Sequence, residues 1–409
     1  MAARVVFLGD DFTGASDSLA RYAQAGWRSR LLIETGHAAD DLDALGIATD
    51  LRSRPPEEVG AEIARLWPLI AAQDPQIVHL KICSTFDSSP RIGSIGAMVA
   101  ALRQHFQPEV TAIIGGQPSL GRYLAFGHLF ARGPDGEIHR IDRHPVMARH
   151  PVTPMREADM RLHLAAQGLQ SLDLVTTDML ADADAVAVRL RAGAVVFDIL
   201  RQQDLERVAE ALRRAGGRQL LVGASSVAEM LTGAEHQQRA AAETPVPRHG
   251  GVLIFAGSRS PLTGVQVAGF RDGPVMRAGP ADLASESFAE GCAGQLRKGH
   301  PVLVALDPEA DYAMSPDALA DRSVALLARI LAQVSLGYLG IAGGDTSSRI
   351  CAGLGFHALE FDHQISPGVS VCIGRHRDPG RDRMRLMLKG GQMGDPALFG
   401  RFVDWAGRR

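Results

Sequence analysis

Short apolar runs that alternate with longer helical stretches are the feature that most constrains the fold of this 409-residue chain. Most of the runs are apolar on both faces, as is typical of strands in a parallel sheet that helices cover. The stretches between them, such as 57–72 and 93–106, are rich in Ala and Leu and predict helices. The sequence therefore predicts an α/β protein with mostly parallel sheets. The predicted strands are 5–8, 29–33, 77–81, 111–114, 194–197, 220–222, 252–256, 301–305, 338–342 and 384–389.

One segment, residues 241–251, breaks this alternation. It contains two prolines and two glycines and has no apolar period, so it is the best candidate for a linker. A helix is expected before it, over 226–242, and a new strand after it. Because domains usually hold ~100–200 residues, two domains are expected. We predict an N-terminal α/β domain over 1–245 and a C-terminal α/β domain over 246–409.

Charge and cysteine content disfavour several function classes. The chain has 43 Lys and Arg against 46 Asp and Glu, a net charge of −3, which argues against a dedicated nucleic-acid binder. Its four cysteines form no C-x-x-C pair, so neither a disulfide framework nor a zinc site is predicted. No apolar run approaches the length of a membrane span, and the first one is too short for a secretory signal. A cytoplasmic protein is the expectation.

Two turns after predicted strands in the N-terminal half carry groups that could bind a small acid with hydroxyls. Asp10 and Asp11 follow the first strand and open a helix, and ligands of open α/β sheets bind at the carboxyl ends of strands. Either residue could instead be only a helix cap. Lys81 ends another strand, and hydroxyls such as that of Ser84, together with Asp87, follow it. This group suits a polyhydroxylated anion, and a solvated Ser-rich turn is the alternative.

The segment 115–155 is dense in Gly, Pro, Arg and His and shows little periodicity, which favours a functional loop. Its histidines 139, 144 and 150 are five and six residues apart and lack the i, i+4 spacing of a helical zinc site. No metal site is predicted. A basic, proline-stiffened loop around these histidines that binds a carboxylate or phosphate is favoured over a solvated surface loop, and Arg122 and His128 could serve the same anion.

Three turns in the C-terminal half, at 257–261, 343–348 and 389–395, bring glycines to the ends of predicted strands, and the first two also carry hydroxyls at the start of a helix. Backbone N–H groups and the helix dipole make such turns phosphate sites. Each turn alone is a weak signal, but together they indicate a nucleotide site. The P-loop, the strand-linked G-x-G-x-x-G fingerprint and the G-x-S-x-G elbow are all absent from the sequence.

Taken in order, these motifs resemble those of the four-carbon acid sugar kinases. In the N-terminal half, D-D-[FL]-T-G-A matches residues 10–15, G-R…G-H-L matches 121–129, and H-P-[LV]-T-P-M matches 150–155. In the C-terminal half, G-S-x-S-P matches 257–261, G-G-[DE]-T-S matches 343–347, and K-[SG]-G-x-[FM]-G-D matches 389–395. The resemblance covers nearly the whole chain.

The resemblance implies an enzyme that uses ATP and Mg²⁺ to phosphorylate a terminal hydroxyl of a short sugar acid. Threonate, erythronate, 3-oxo-tetronates and 3-oxo-isoapionate all stay open as substrates. Together with the turn chemistry, it predicts an acid site with Asp11 as the base for the acceptor hydroxyl, and a nucleotide site in which Asp345 contacts magnesium through water. The predicted acid-binding residues are Asp10, Asp11, Lys81, Ser84, Arg122 and His150. The predicted ATP-binding residues are Ser258, Gly343, Gly344, Asp345, Thr346, Gly390 and Gly391.

Two other functions stay open at this point. A non-catalytic two-lobed binding protein would use the same anion-binding turns, although the paired glycine turns favour a nucleotide. A dehydrogenase or isomerase of sugar acids would be expected to carry the dinucleotide fingerprint that the sequence lacks. The family's members often form dimers, so a homodimer is expected from the resemblance, but no patch in the sequence indicates one.

Overall fold

The structure, a computed structural model, describes residues 3–35, 41–233, 250–366, 368–390 and 393–408. Its strands are β1 Val5–Gly9, β2 Ser29–Leu32, β3 Ala44–Ala48, β4 Ile77–Lys81, β5 Val110–Ile114, β6 Arg122–Ala125, β7 His128–Arg132, β8 Ile138–Arg140, β9 Asp173–Val175, β10 Val195–Phe197, β11 Gln219–Gly223, β12 Gly251–Ala256, β13 Val275–Ala278, β14 Val302–Leu306, β15 Leu336–Ala342, β16 Phe356–Ser366, β17 Val369–His376 and β18 Met384–Lys389. Its α-helices are α1 Phe12–Gln24, α2 Pro56–Ala71, α3 Ile95–Phe106, α4 Met160–Ala165, α5 Ala183–Ala192, α6 Gln202–Ala215, α7 Ser226–Thr232, α8 Pro261–Gly269, α9 Glu286–Arg297, α10 Pro316–Gln333, α11 Gly344–Gly353 and α12 Leu398–Gly407.

The chain divides into two compact units. The first comprises residues 1–29 and 38–241, and the second comprises 30–37 and 242–409. The predicted domain boundary near 246 lies outside the described residues, as do most of the predicted linker and the end of the predicted helix over 226–242. The sequence pattern did not indicate that most of β2, which lies early in the chain, belongs to the second unit.

The first unit is built on a parallel sheet. Its strand order is β3-β1-β4-β11-β5-β10-β9, and every neighbouring pair is parallel. Strands β1, β4, β5 and β11 are buried along their whole length, as their apolar sequences predict. Because these strands are parallel, their carboxyl ends open at the same edge of the sheet. The residues that follow β1 and β4, including Asp10 and Ser84, therefore share that edge.

The segment 115–155 is more regular than its sequence suggested. It contains β6, β7 and β8, which pair as a three-stranded antiparallel sheet. These strands are only three to five residues long, so an alternation of apolar and polar positions is too brief to recognise. Two isolated β-bridges attach this small sheet to other segments of the first unit: Leu124 pairs with Ile199, and His128 pairs with Asp159.

The second unit contains a mixed sheet. Strands β13-β14-β12-β15-β18 are parallel in that order, and β17 and β16 continue the sheet in antiparallel fashion. Strand β2 pairs antiparallel with β16, where Arg30 donates two hydrogen bonds to Glu360. The α/β class with mostly parallel sheets is thus confirmed. None of the described helices is long and apolar enough to cross a membrane.

Candidate functional site

A cation that the sequence analysis missed, Arg52, joins the two acids at the tip of β1. It follows β3, the strand beside β1, and its Nε and Nη2 donate to the two carboxylate oxygens of Asp10 at 3.1 and 2.7 Å. Its Nη1 donates to Asp11 Oδ2 at 2.8 Å. Asp11 Oδ1 accepts from the backbone N–H of Gly14 at 2.8 Å, so Asp11 also caps helix α1. The cap explains why α1 begins at Phe12, directly after Asp11.

Burial and charge oppose each other in this cluster. The Asp10 side chain is only 4% exposed, and burial raises its pKa although Arg52 acts to lower it. Burial alone would lower the pKa of Arg52, but Asp10 and Asp11 outweigh it and hold that pKa well above its ordinary value. Arg52 therefore stays protonated and keeps its two acid partners in one place.

The ammonium group of Lys81 lies beside the start of α1. Lys81 is buried, and its Nζ donates to the carbonyl oxygen of Ile82 at 2.8 Å. A Cβ atom on Gly14 would collide with both Lys81 Nζ and Asp11 Oδ1. Glycine at this position thus leaves room for the close approach of these two predicted site residues, which the structure brings together.

The loop after β4 carries a chain of polar side chains. Thr85 donates its hydroxyl to Asp87 Oδ1 at 2.6 Å, and Cys83 Sγ lies 3.0 Å from the Thr85 hydroxyl. Burial raises the pKa of Cys83 to about 11, so it is a neutral thiol. Ser84, the residue predicted from this loop, is half-buried, and no hydrogen bond of its side chain is formed within the described residues.

Ser88, His163 and Gln167 anchor this loop. Ser88 Oγ lies 2.9 Å from His163 Nε2 and accepts from Gln167 Nε2 at 2.8 Å. The anchor holds Phe86, a buried aromatic residue with φ of 54°, in a conformation that residues with a Cβ seldom adopt. Such strain is retained where the surrounding contacts fix the backbone, and it is common in loops that bind ligands.

Two of the predicted basic residues of segment 115–155, Arg122 and His150, approach the loop after β4 from the same unit. Arg122 is half-buried, its Nη1 donates to the Leu120 carbonyl at 2.7 Å, and its charge acts on Cys83. Burial lowers the pKa of Arg122. His150 accepts the Thr153 backbone N–H at Nδ1 at 3.1 Å, and it lies near Asp87.

The other histidines of this segment have different partners. His144 is buried and its Nδ1 accepts the N–H groups of Val146 and Met147, so its role is structural. His139 pairs with Asp135 at 2.8 Å. His128 lies beside Asp159 rather than at the β4 loop. Across the described ranges, no cluster of three acidic, histidine or cysteine ligands suits a metal ion.

In the second unit, backbone hydrogen bonds join the three predicted phosphate turns. Gly257 and Ser258 donate their N–H groups to the carbonyl oxygen of Ala342 at 3.0 and 2.9 Å, and Gly343 donates to that of Lys389 at 2.9 Å. The turns therefore meet at the carboxyl ends of β12, β15 and β18. Gly343 has a φ of 138°, a conformation that L-residues rarely adopt, and it caps α11.

The remaining predicted ATP-binding residues lie in these same turns. Gly344, Asp345 and Thr346 form the first turn of α11, and Gly390 follows β18 directly. Gly391 lies outside the described residues.

A buried lysine connects two of these turns. Lys389 Nζ donates to Thr263 Oγ1 at 2.9 Å and to Gln266 Oε1 at 2.7 Å, both on helix α8. Gln266 in turn donates to the carbonyl oxygens of Met393 and Asp395. Burial lowers the pKa of Lys389 to about 8. The sequence placed Lys389 at the head of a turn but gave no sign of this cluster.

A cavity of about 360 Å³ adjoins the first of these turns. Leu306, Met314 and Leu319 supply apolar surface, and the Arg259 guanidinium lies 5.7 Å from the centre of the Tyr312 ring. Asp311 and Ser323 add polar groups to its wall. A cavity that combines apolar side chains, an arginine and an aromatic ring can hold a planar heterocycle.

Comparison with known proteins agrees with this division into two ligand sites. Residues 5–231 match the family model of a sugar-binding N-terminal domain, and residues 253–399 match that of a nucleotide-binding C-terminal domain. The chain is 31% identical to a 3-oxo-isoapionate kinase of Paraburkholderia graminis, over 97% of this chain and 93% of the relative. It is 32% identical to a 3-oxo-tetronate kinase of Methylobacterium radiotolerans, over 97% of each chain. A solved structure from Salmonella typhimurium LT2 has a TM-score of 0.83 at 25% identity and covers 98% of both chains. This chain therefore belongs to the four-carbon acid sugar kinase family.

Proposed function

We propose that this protein is an ATP-dependent kinase that phosphorylates a terminal hydroxyl of a short sugar acid. Four-carbon acids such as 3-oxo-tetronate, threonate and erythronate, and the similar 3-oxo-isoapionate, are the candidate acceptors. The observation that carries the proposal is the presence in one chain of two kinds of site. One unit holds a buried cluster of cations and carboxylates, and the other holds three phosphate-type turns at the carboxyl ends of parallel strands.

The residues of the first unit suit an acid with several hydroxyls. The Ile82 carbonyl takes one of the three N–H donors of Lys81, and no other acceptor in the described part of the chain takes the remaining two. Lys81 and Arg122 would bind the carboxylate, because both are partly or fully buried cations. Asp10 and Asp11 would accept hydrogen bonds from hydroxyl groups, Ser84 and His150 would bind hydroxyl or keto oxygens, and Asp11 is the base that the sequence predicts.

The residues of the second unit suit the phosphates of ATP. Gly343 has a positive φ and caps the start of α11, and it has no side chain to cover the open N–H groups in the first turn of that helix. An open helix N-terminus of this kind suits a phosphate group. Ser258, Gly343, Gly344, Thr346, Gly390 and Gly391 would hold the phosphates, and the cavity beside Gly257 would hold the base. Bound Mg²⁺ would neutralise phosphate charge, with Asp345 as its protein contact through water.

ADP release from ATP and Mg²⁺ across a panel of four- and five-carbon sugar acids and their 3-oxo forms tests the proposal. Turnover with one acid is expected, and ATP but not NAD is expected to raise the melting temperature. A thermal shift by ATP without turnover on any acid would favour a binding protein. A thermal shift by NAD alone would favour a dehydrogenase.

A further inference from the structure

Three carboxylates, those of Asp10, Asp11 and Asp87, lie at the carboxyl edge of the first unit, and two of them, Asp10 and Asp11, form a direct ion pair with Arg52. Arg52 uses Nε, Nη1 and Nη2 to contact Asp10 and Asp11. Asp87 is 8% exposed and forms no ion pair with any residue that the structure describes. Because no cation contacts Asp87 directly, it can take up a proton without breaking an ion pair.

The hydrogen bonds around Asp87 have a defined direction. The hydroxyl of Thr85 donates to Asp87 Oδ1, so its oxygen can only accept from the neutral thiol of Cys83. Thr85 therefore holds the Oδ1 atom of the Asp87 carboxylate in place. The thiol of Cys83 also lies within reach of this carboxylate.

The ionisation of Asp87 fits a group that accepts a proton. Burial alone would raise the pKa of Asp87, but the charge of Arg52 and the hydrogen bonds from Cys83 and Thr85 outweigh it and hold the pKa below its ordinary value. Asp87 is thus a carboxylate at neutral pH. The titratable and charged groups around it are Arg52, Cys83, His150 and His163.

Asp11 is less available. Its Oδ1 accepts from Gly14 and its Oδ2 accepts from Arg52, and both bonds are lost or weakened if Asp11 takes up a proton. A proton on Asp11 would also weaken the cap of α1. By contrast, Asp87 neither caps a described helix nor forms an ion pair with a described residue.

We propose that Asp87 is the catalytic base of the kinase reaction and that Thr85 is its positioning residue; this inference rests on the proposed function. The hydroxyl of the sugar acid gives its proton to the Asp87 carboxylate as its oxygen forms a bond to the γ-phosphorus of ATP. The bond from that phosphorus to the β,γ-bridging oxygen breaks, and ADP leaves with the electron pair. Asp87 then returns the proton to water.

The test compares the wild-type protein with Asp87→Asn, Asp11→Asn and Asp204→Asn in the ADP-release assay with 3-oxo-tetronate, 3-oxo-isoapionate, threonate and erythronate. Asp204 is a buried carboxylate at the start of α6 and serves as the control for loss of a buried charge. Asp87→Asn is expected to lower kcat by about 100-fold or more, with the KM for ATP and the thermal shift by ATP unchanged. Asp11→Asn and Asp204→Asn are expected to lower kcat less.

A second pair of variants keeps the test independent of how well Asp87→Asn folds. Thr85→Val removes the hydrogen bond that stabilises the Asp87 carboxylate, so the acidic limb of the kcat/KM profile is expected to move to higher pH. Thr85→Ser keeps a hydroxyl at this position, so its acidic limb is expected to lie at the wild-type pH. A purely structural role for Thr85 would leave the limb in place.

The outcomes separate the two proposals. A wild-type protein that turns over one of these acids, with Asp87→Asn within about 3-fold of its kcat or with Asp11→Asn the more damaging change, overturns the assignment of Asp87 alone. A wild-type protein that turns over none of them removes the proposed function, and the assignment of Asp87 with it.

Discussion

Arg52 fixes the charge and position of the acidic turn that follows β1. We expect Arg52→Ala to destabilise the protein by about 3–5 kcal/mol, because it leaves the buried Asp10 carboxylate without a partner. The additional change Asp10→Asn is expected to recover part of that loss, since it removes the orphaned charge. Urea unfolding at pH 7 measures both. Equal stabilities of Arg52→Ala and the wild type would contradict this account of the cluster.

Lys389 gives a pH dependence whose sign follows from its burial. Its pKa is about 8 in the folded protein, below its ordinary value of 10.5. Between these values the unfolded chain binds a proton that the folded chain does not, so stability rises with pH across this window. We expect the stability of the wild type relative to Lys389→Met to increase between pH 8 and pH 10 in denaturant titrations. A difference that stays constant over this range would show that Lys389 titrates normally.

The position of a side chain could be predicted from the sequence where that residue ends or directly follows a recognisable strand. Asp10 and Lys81 are of this kind, and the structure places both at one sheet edge. Arg52 could not be found in this way, because it follows β3, whose apolar run was not recognised as a strand. Its contact with Asp10, 42 residues earlier in the sequence, depends on the pairing of β3 with β1.

At the scale of elements, the start of helix α1 sets the geometry of the acid site. We expect Gly14→Ala to weaken binding of the sugar acid by at least about 10-fold, because the added Cβ would displace Lys81 or the Asp11 cap. Titration calorimetry with the acid that supports turnover measures this loss.

Gly60→Ala is the matched control for that change. Gly60 lies within helix α2, and a Cβ there would meet no atom within 4 Å. This variant is expected to keep acid binding and to gain about 0.5–1 kcal/mol of stability, as alanine is the better helix former. Equal acid affinities of the two variants would contradict the proposed close approach of Lys81 and α1.

The periodicity of individual elements explains which of them could be predicted. The central parallel strands are mostly apolar and buried, and long helices such as α2 keep one apolar face, so their patterns are clear. Strand β16 carries Glu360, Asp362 and His363, and much of it is only half-buried. Its stability depends on antiparallel pairing with β17 and on the Arg30–Glu360 contact, which a local pattern does not contain.

At the scale of the whole molecule, the two units are expected to bind their ligands separately. Gly343→Ala places a Cβ at a φ of 138°, which residues other than glycine rarely adopt. We expect this variant to lose the thermal shift by ATP and to keep the affinity for the acid, and Gly14→Ala to show the reverse pattern. Loss of both ligands in either variant would contradict the division of binding between the units.

The sequence indicated the division of the molecule into two units only in part. The prolines and glycines of 241–251 indicated a boundary, and the order of the motifs indicated an acid site before a nucleotide site. The assignment of β2 to the second unit was not foreseeable, because it depends on pairing with β16, more than 300 residues later in the chain.

The most direct test of the central claim is the transfer of radioactive phosphate from γ-labelled ATP to the sugar acids, with Mg²⁺ present. We predict that label appears in a phosphorylated acid, that its amount matches the ADP formed, and that no label is transferred when the acid is omitted. Label found only in inorganic phosphate, or no ADP at all with any acid of the panel, would contradict the assignment of this protein as a sugar-acid kinase.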